Sequence, residues 1–188
     1  MKDKIRTFIA IKIEPEQKLV NQLLEFKKHF KDERINWVQE DNLHLTLRFL
    51  GETSREQVLA LHTKFEQLSN QIRSFEFKIS GTGTFGSKGN PQVLFVNIQF
   101  TEEMEKLAKE IEKVVVSVGF HKELKPFRPH LTLGRIKYLN NRLRFLQIMD
   151  EIPQVDYQNV RVSEFVLYQS ILRQEGPVYK PLKTYLLQ

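Results

Sequence analysis

Residues 7–13 alternate weakly in polarity and are rich in β-branched side chains, which predicts a first strand. Pro15 opens a segment with apolar residues at Leu19, Val20, Leu23, Leu24, Phe26 and Phe30, a helical spacing. Residues 35–38 and 43–50 then read as strands, the second closed by Gly51. Ser54 followed by Gln57 has the form of a capping box, and the helix it opens carries Val58, Leu61, Phe65, Leu68 and Ile72 on one face. Residues 75–85 alternate as a strand, residues 86–91 read as a loop, and residues 93–100 return as a strand. Thr101 caps a helix to about residue 118, with Met104, Leu107, Ile111 and Val114 in phase. A short strand at 131–136, a weaker helix at 141–149, and two closing strands at 160–172 and 178–187, joined through Glu175-Gly176-Pro177, complete the chain.

This order, with helices dispersed among strands and no regular βαβ repeat, predicts a mixed, mostly antiparallel α+β fold. No linker rich in Gly, Ser or Pro divides the 188 residues, so a single domain spanning 1–188 is expected. No period of the solenoid kind appears.

One tetrapeptide occurs twice. His44-Leu45-Thr46-Leu47 recurs verbatim as His130-Leu131-Thr132-Leu133, in a chain with only five histidines. Strand side chains alternate between faces, so each copy points its His and Thr one way and its leucines into a core. Two such copies, each within a strand and after a helical segment, suggest two pseudo-symmetric lobes presenting paired His and Thr side chains to a common groove.

The pairing suits a specific chemistry. An imidazole titrates near pH about 6.5, so one copy can be protonated while its twin is neutral. General acid–base catalysis needs this arrangement: one ring takes a proton from a nucleophile and the other gives one to a leaving group. Threonine hydroxyls on the same face can donate to phosphoryl oxygens where charge builds up. Phosphodiester hydrolysis without a metal fits these residues.

Composition narrows the alternatives. With no cysteine, a disulfide framework, a thiol nucleophile and a thiolate zinc site are excluded. There is no His-Glu-x-x-His, and no metal or other cofactor is expected. The apolar runs are too short for a signal peptide or membrane span, so a soluble cytoplasmic protein without membrane contact is expected. The 29 Lys plus Arg against 23 Asp plus Glu give a net charge of +6, compatible with a phosphate-bearing partner.

At these residues the chain resembles the 2H phosphoesterase superfamily, and within it the RNA 2',3'-cyclic phosphodiesterases, also called 2'-5' RNA ligases. The resemblance covers nearly the whole chain. It rests on Arg6-Thr7-Phe8-Ile9-Ala10-Ile11, on Trp37-Val38 with residues 42–52 around the first His, on Phe127-Arg128-Pro129 through Arg135 around the second, and on Leu167-Tyr168-Gln169-Ser170 with Gly176-Pro177-Val178-Tyr179. It implies a bilobal α+β fold of two pseudo-symmetric, mostly antiparallel sheets flanked by helices around a central cleft. It implies opening of an RNA or nucleoside 2',3'-cyclic phosphate to a 2'-phosphomonoester. By the same resemblance His44 is the proton donor, His130 the proton acceptor, and Thr46 and Thr132 hold phosphate oxygens. A monomer acting on RNA or oligonucleotide ends is expected. Two rivals stand beside this reading: a phosphodiesterase or ligase acting on 2'-5'-linked or other small nucleotides, and a non-catalytic RNA- or nucleotide-binding module.

Other residues weigh less. Simple alternation puts Arg48 on the face of His44 and Arg135 on the face opposite His130. The resemblance nonetheless implies a phosphate contact for Arg135, and a bulge at Gly134 would re-aim it. Residues 81–88 look superficially like a phosphate loop, but Ser87-Lys88 is in the wrong order and no helix follows. Lys88 and the cluster Lys122, Lys125 and Arg128 are candidate RNA-backbone contacts. Phe127 and Tyr168 can stack on a base, although core packing is the commoner fate of an aromatic side chain. His29, His62 and His121 lack the motif and are given no role.

Overall fold

The computed structural model describes residues 4–87, 89–174 and 176–188. Its elements run β1 (Ile5–Lys12), α1 (Gln17–His29), β2 (Arg34–Trp37), a 3-10 turn (Glu40–Asn42), β3 (His44–Thr53), α2 (Arg55–Ser69), β4 (Phe75–Ser87) and β5 (Asn90–Ile98). They continue with α3 (Glu102–Ser117), β6 (His130–Tyr138), α4 (Arg142–Glu151), β7 (Asp156–Val162), β8 (Glu164–Arg173) and β9 (Gly176–Leu186).

The helix starts follow their capping residues. Ser54 accepts from the Gln57 amide while the Gln57 side chain accepts from Ser54 N–H, a complete capping box at the head of α2. Thr101 accepts from Met104 N–H to open α3, and Asn141 accepts from Arg144 N–H to open α4. Leu19, Leu23 and Phe26 of α1, Leu61, Phe65 and Leu68 of α2, and Met104, Leu107, Ile111 and Val115 of α3 are buried against the sheet in one hydrophobic cluster. Ile9, Ile11, Leu45, Leu47, Leu131 and Leu133 supply its strand side.

The nine strands among the described residues form one antiparallel sheet in the order β7-β4-β5-β6-β3-β1-β8-β9, with β2 added alongside β6. The two expected sheets are thus the halves of one, each ending at the middle on a strand that begins with a motif histidine. Helices α2 and α3 pack together and touch β9 and β3, whereas α1 lies against β7, and Phe30 at its C-terminal cap packs on Phe145 of α4 with the rings tilted at 34°.

Two of the expected elements also change. The single closing strand at 160–172 is two strands broken at Ser163: β7 pairs with β4 in one half and β8 with β1 in the other. Polar composition disguises β7, whose Gln158 is buried but donates to Glu14 C=O and accepts from Glu16 N–H. The loop at 86–91 is a tighter hairpin, because Ser87 pairs with Asn90. Lys88 and Glu175 lie outside the described residues.

Candidate active site

Strands β3 and β6 meet at one described pair, Leu45 opposite Leu131. Each leucine is fully buried on the helix side. His44 and Thr46 flank Leu45, His130 and Thr132 flank Leu131, and alternation turns all four half-buried side chains to the other face. Because the strands are antiparallel, the first motif is related to the second by a local two-fold at this pair. The structure therefore brings together the four predicted His and Thr residues.

The two imidazoles are held alike. His44 Nδ1 donates to Asn42 C=O at 2.6 Å and His130 Nδ1 donates to Arg128 C=O at 2.7 Å. A carbonyl can only accept, so Nδ1 carries hydrogen in both rings and the neutral form has its lone pair on Nε2. Each ring is also walled by two aromatic neighbours. Phe8 and Tyr179 lie 5.1 and 5.2 Å from His44, and Phe85 and Phe95 lie 4.8 and 5.7 Å from His130, between ring centroids. Gly83 makes room for one of these walls, because a Cβ there would come 2.7 Å from the Phe95 ring.

The rings and the carbonyls were not found by sequence reasoning. Phe8, Phe85 and Phe95 look like ordinary strand apolar residues until strand register sets them beside a histidine. Tyr179 stood only within the similar tail segment.

A bulge at the last leucine of each motif, Leu47 and Leu133, settles the two arginines. On β3, Thr46 pairs with Ala10 but Arg48 pairs with Ile9, so one extra residue turns Arg48 to the helix face. There Arg48 Nε donates to Glu112 at 2.7 Å, Nη2 to His121 C=O at 2.6 Å, and Nη1 to Phe49 C=O at 2.7 Å. The expected placement of Arg48 beside His44 is thus corrected: it straps the segment before His130 to β3. On β6, Thr132 pairs with Phe95 and Gly134 with Leu94, which returns Arg135 to the face of His130. The expected bulge is present one residue earlier than Gly134: Leu133 is the residue left unpaired opposite β5.

Burial is the main cause pushing both imidazoles below their ordinary pKa, and their carbonyl bonds oppose it. The Arg135 guanidinium lowers both further, and charge on His130 lowers His44, so the three groups share one field. Burial raises the Tyr179 phenol, and Arg135 counters this, which puts Tyr179 in the same field.

A cavity of about 190 Å³ adjoins His44, walled by Phe8, Tyr168 and Tyr179, with Lys12 and Asp41 among its lining. Tyr168 thus reaches the site, whereas Phe127 packs on the core. His62 bonds Tyr185 Oη at 2.6 Å and His29 ends α1, neither within the motif pair. Among the described residues no three His, Asp or Glu side chains gather as a metal site, and no helix is long and apolar enough to cross a membrane.

Comparison with known proteins agrees with this arrangement. Residues 11–95 and 94–179 each match the family described as LigT like Phosphoesterase, one match per motif. The RNA 2',3'-cyclic phosphodiesterase of Thermotoga maritima is 35% identical over 184 residues, 95% of this chain and 93% of that protein. That of Methanocaldococcus jannaschii is 30% identical over 179 residues, 95% of this chain and 99% of its own. A crystal structure of a Thermus thermophilus protein matches with a TM-score of 0.80 at 28% identity, over 97% of both chains. E. coli LigT complexed with 3'-AMP matches with a TM-score of 0.79 at 28% identity, over 99% of both. With a histidine strand at the centre of each matched half, the chain belongs to the LigT-like phosphoesterase family.

Proposed function

We propose that this protein hydrolyses RNA or nucleoside 2',3'-cyclic phosphates to 2'-phosphomonoesters, with His44 as proton donor and His130 as proton acceptor. The observation that carries the reading is the pair of imidazoles on either side of Leu45 and Leu131, each with Nδ1 tied to a carbonyl. The relatives named as RNA 2',3'-cyclic phosphodiesterases support the substrate class.

His130 Nε2 takes a proton from water as its oxygen attacks phosphorus. The bond from phosphorus to O3' breaks on the far side, and the Nε2 proton of His44 passes to O3'. The phosphate stays on O2', and the pair has exchanged the proton it shares. Thr46 and Thr132 donate to the equatorial oxygens, and Arg135 adds a charged donor on the same face. The acid and base roles follow the family resemblance, since the local two-fold makes the sites alike.

Electrostatics fits a substrate-triggered pair. In the empty cleft both rings are driven toward neutrality by burial and Arg135. An arriving phosphate anion reverses this field and favours one imidazolium. The direct test is incubation with a nucleoside 2',3'-cyclic phosphate in EDTA and phosphorus NMR of the product. A 2'-monophosphate is expected; an untouched substrate or a 3'-monophosphate contradicts the scheme.

A further inference from the structure

The cavity beside His44 has no counterpart in the proton-transfer scheme, yet its position relative to the reaction axis is informative. In an in-line displacement the water and O3' lie on opposite sides of phosphorus. The ring that protonates O3' therefore sits on the side of the ribose, because O3' belongs to that sugar. On the proposed roles the terminal nucleoside lies on the His44 side, where the cavity is.

Its lining suits a nucleoside. Phe8 and Tyr168 are stacked with centroids 5.2 Å apart at 17°, and Tyr179 stands edge-on to Phe8 at 4.9 Å. Such a wall offers π-faces and edges to any base without selecting its sequence. Asn42 Nδ2 donates to Pro177 C=O, tying the start of β9 to the segment before His44 and so fixing Tyr179 beside it.

Lys12 adds the charge. It pairs directly with His44 across β1 and β3, so its stem starts from the strand position beside the donor ring, and it lines the same cavity. Its only described ion pair is with Glu14 at 3.5 Å, between side chains 47% and 87% exposed. A contact this exposed is worth little, so the ammonium can be drawn to a ligand at small cost. Asp41 on the same lining serves as an acceptor for a base N–H or a sugar hydroxyl and repels phosphate.

We propose that this cavity holds the terminal nucleoside with its base against Phe8, Tyr168 and Tyr179, and that Lys12 takes the phosphodiester on its 5' side. The enzyme then prefers oligonucleotide ends, which have that phosphodiester, over nucleoside 2',3'-cyclic phosphates, which lack it. This rests on the proposed function and on His44 as the donor.

The test compares a dinucleotide 2',3'-cyclic phosphate with the corresponding nucleoside 2',3'-cyclic phosphate in the wild-type protein and in Lys12→Gln. The ratio of the two kcat/KM values should favour the dinucleotide in the wild type and fall about fivefold or more in the variant. The salt dependence of log KM for the dinucleotide should flatten by about 0.7, one phosphate contact on a single strand. An unaltered ratio overturns the Lys12 assignment, including the case in which both substrates lose equally because Lys12 serves the scissile phosphate. Hydrolysis of neither substrate by the wild type overturns the underlying reading instead. For the ring wall, Tyr168→Leu should narrow the preference for the nucleoside over base-less ribose 2',3'-cyclic phosphate about tenfold. Equal loss on the two overturns it.

Discussion

Leu45 and Leu131 face each other where β3 meets β6, and neither touches the reacting atoms. Their side chains are buried among helix residues on the opposite side of the sheet. They nevertheless set the geometry of the site, because the residues on either side of a strand position must point the other way. One apolar pair thereby aligns two histidines and two threonines.

If the imidazoles share the chemistry, each is needed. His44→Ala and His130→Ala should each lower kcat by at least ~10², with the double variant little worse than either alone, since they act as a unit. Full activity in either single variant, measured on a nucleoside 2',3'-cyclic phosphate, would exclude the paired mechanism.

The pH dependence should report the field around the rings. Burial and Arg135 lower both imidazoles in the free protein, so the bell in kcat/KM should centre below about 6.5. Bound phosphate favours the charged ring, so the bell in kcat should lie at higher pH. A flat kcat/KM profile between pH 5 and 9 is the contrary result.

The two arginines should separate cleanly. Arg135→Gln removes a cation from both histidines, so the acid limb of kcat/KM should move up, and KM should rise about tenfold with little change in Tm. Arg48→Ala removes the strap to Glu112 and His121 C=O and should cost about 1–3 kcal/mol of stability. Kinetics and thermal melts on both variants would decide; a reversed pattern refutes the assigned faces.

Thr7 and Thr53 bond through their hydroxyls at 2.6 Å, both buried, while Thr53 donates to Gly51 C=O at 3.0 Å. Thr7 is therefore the donor to Thr53. Thr53→Val strands the Thr7 hydroxyl and should cost about 1–3 kcal/mol, and Thr7→Val added to it should restore part of that loss. Denaturant midpoints of the single and double variants measure the cycle.

Much of this was legible in the chain. The 3.6-residue spacing of α1–α3, their Ser54 and Thr101 caps and the strand alternation through each motif are local signals, and local signals survive into the fold. Register is not local. Arg48 and Arg135 exchange faces because one residue bulges out of each strand; Gly134 hints at the second bulge, whereas the first is not visible without the partner strand. β7 hides because buried Gln158 is satisfied by Glu14 and Glu16, far away in sequence. The carbonyls of Asn42 and Arg128 carry no residue signature at all.

The interleaving of the two halves reaches beyond catalysis. β1 lies beside β3, but its other flank is covered by β8, which begins only at Glu164, and β8 in turn by β9. During synthesis on the ribosome the Ile9-Ala10-Ile11 stretch must wait, with an uncovered hydrogen-bonding edge, until most of the polypeptide has emerged. Nascent chains arrested before that point should be the ones that need chaperones.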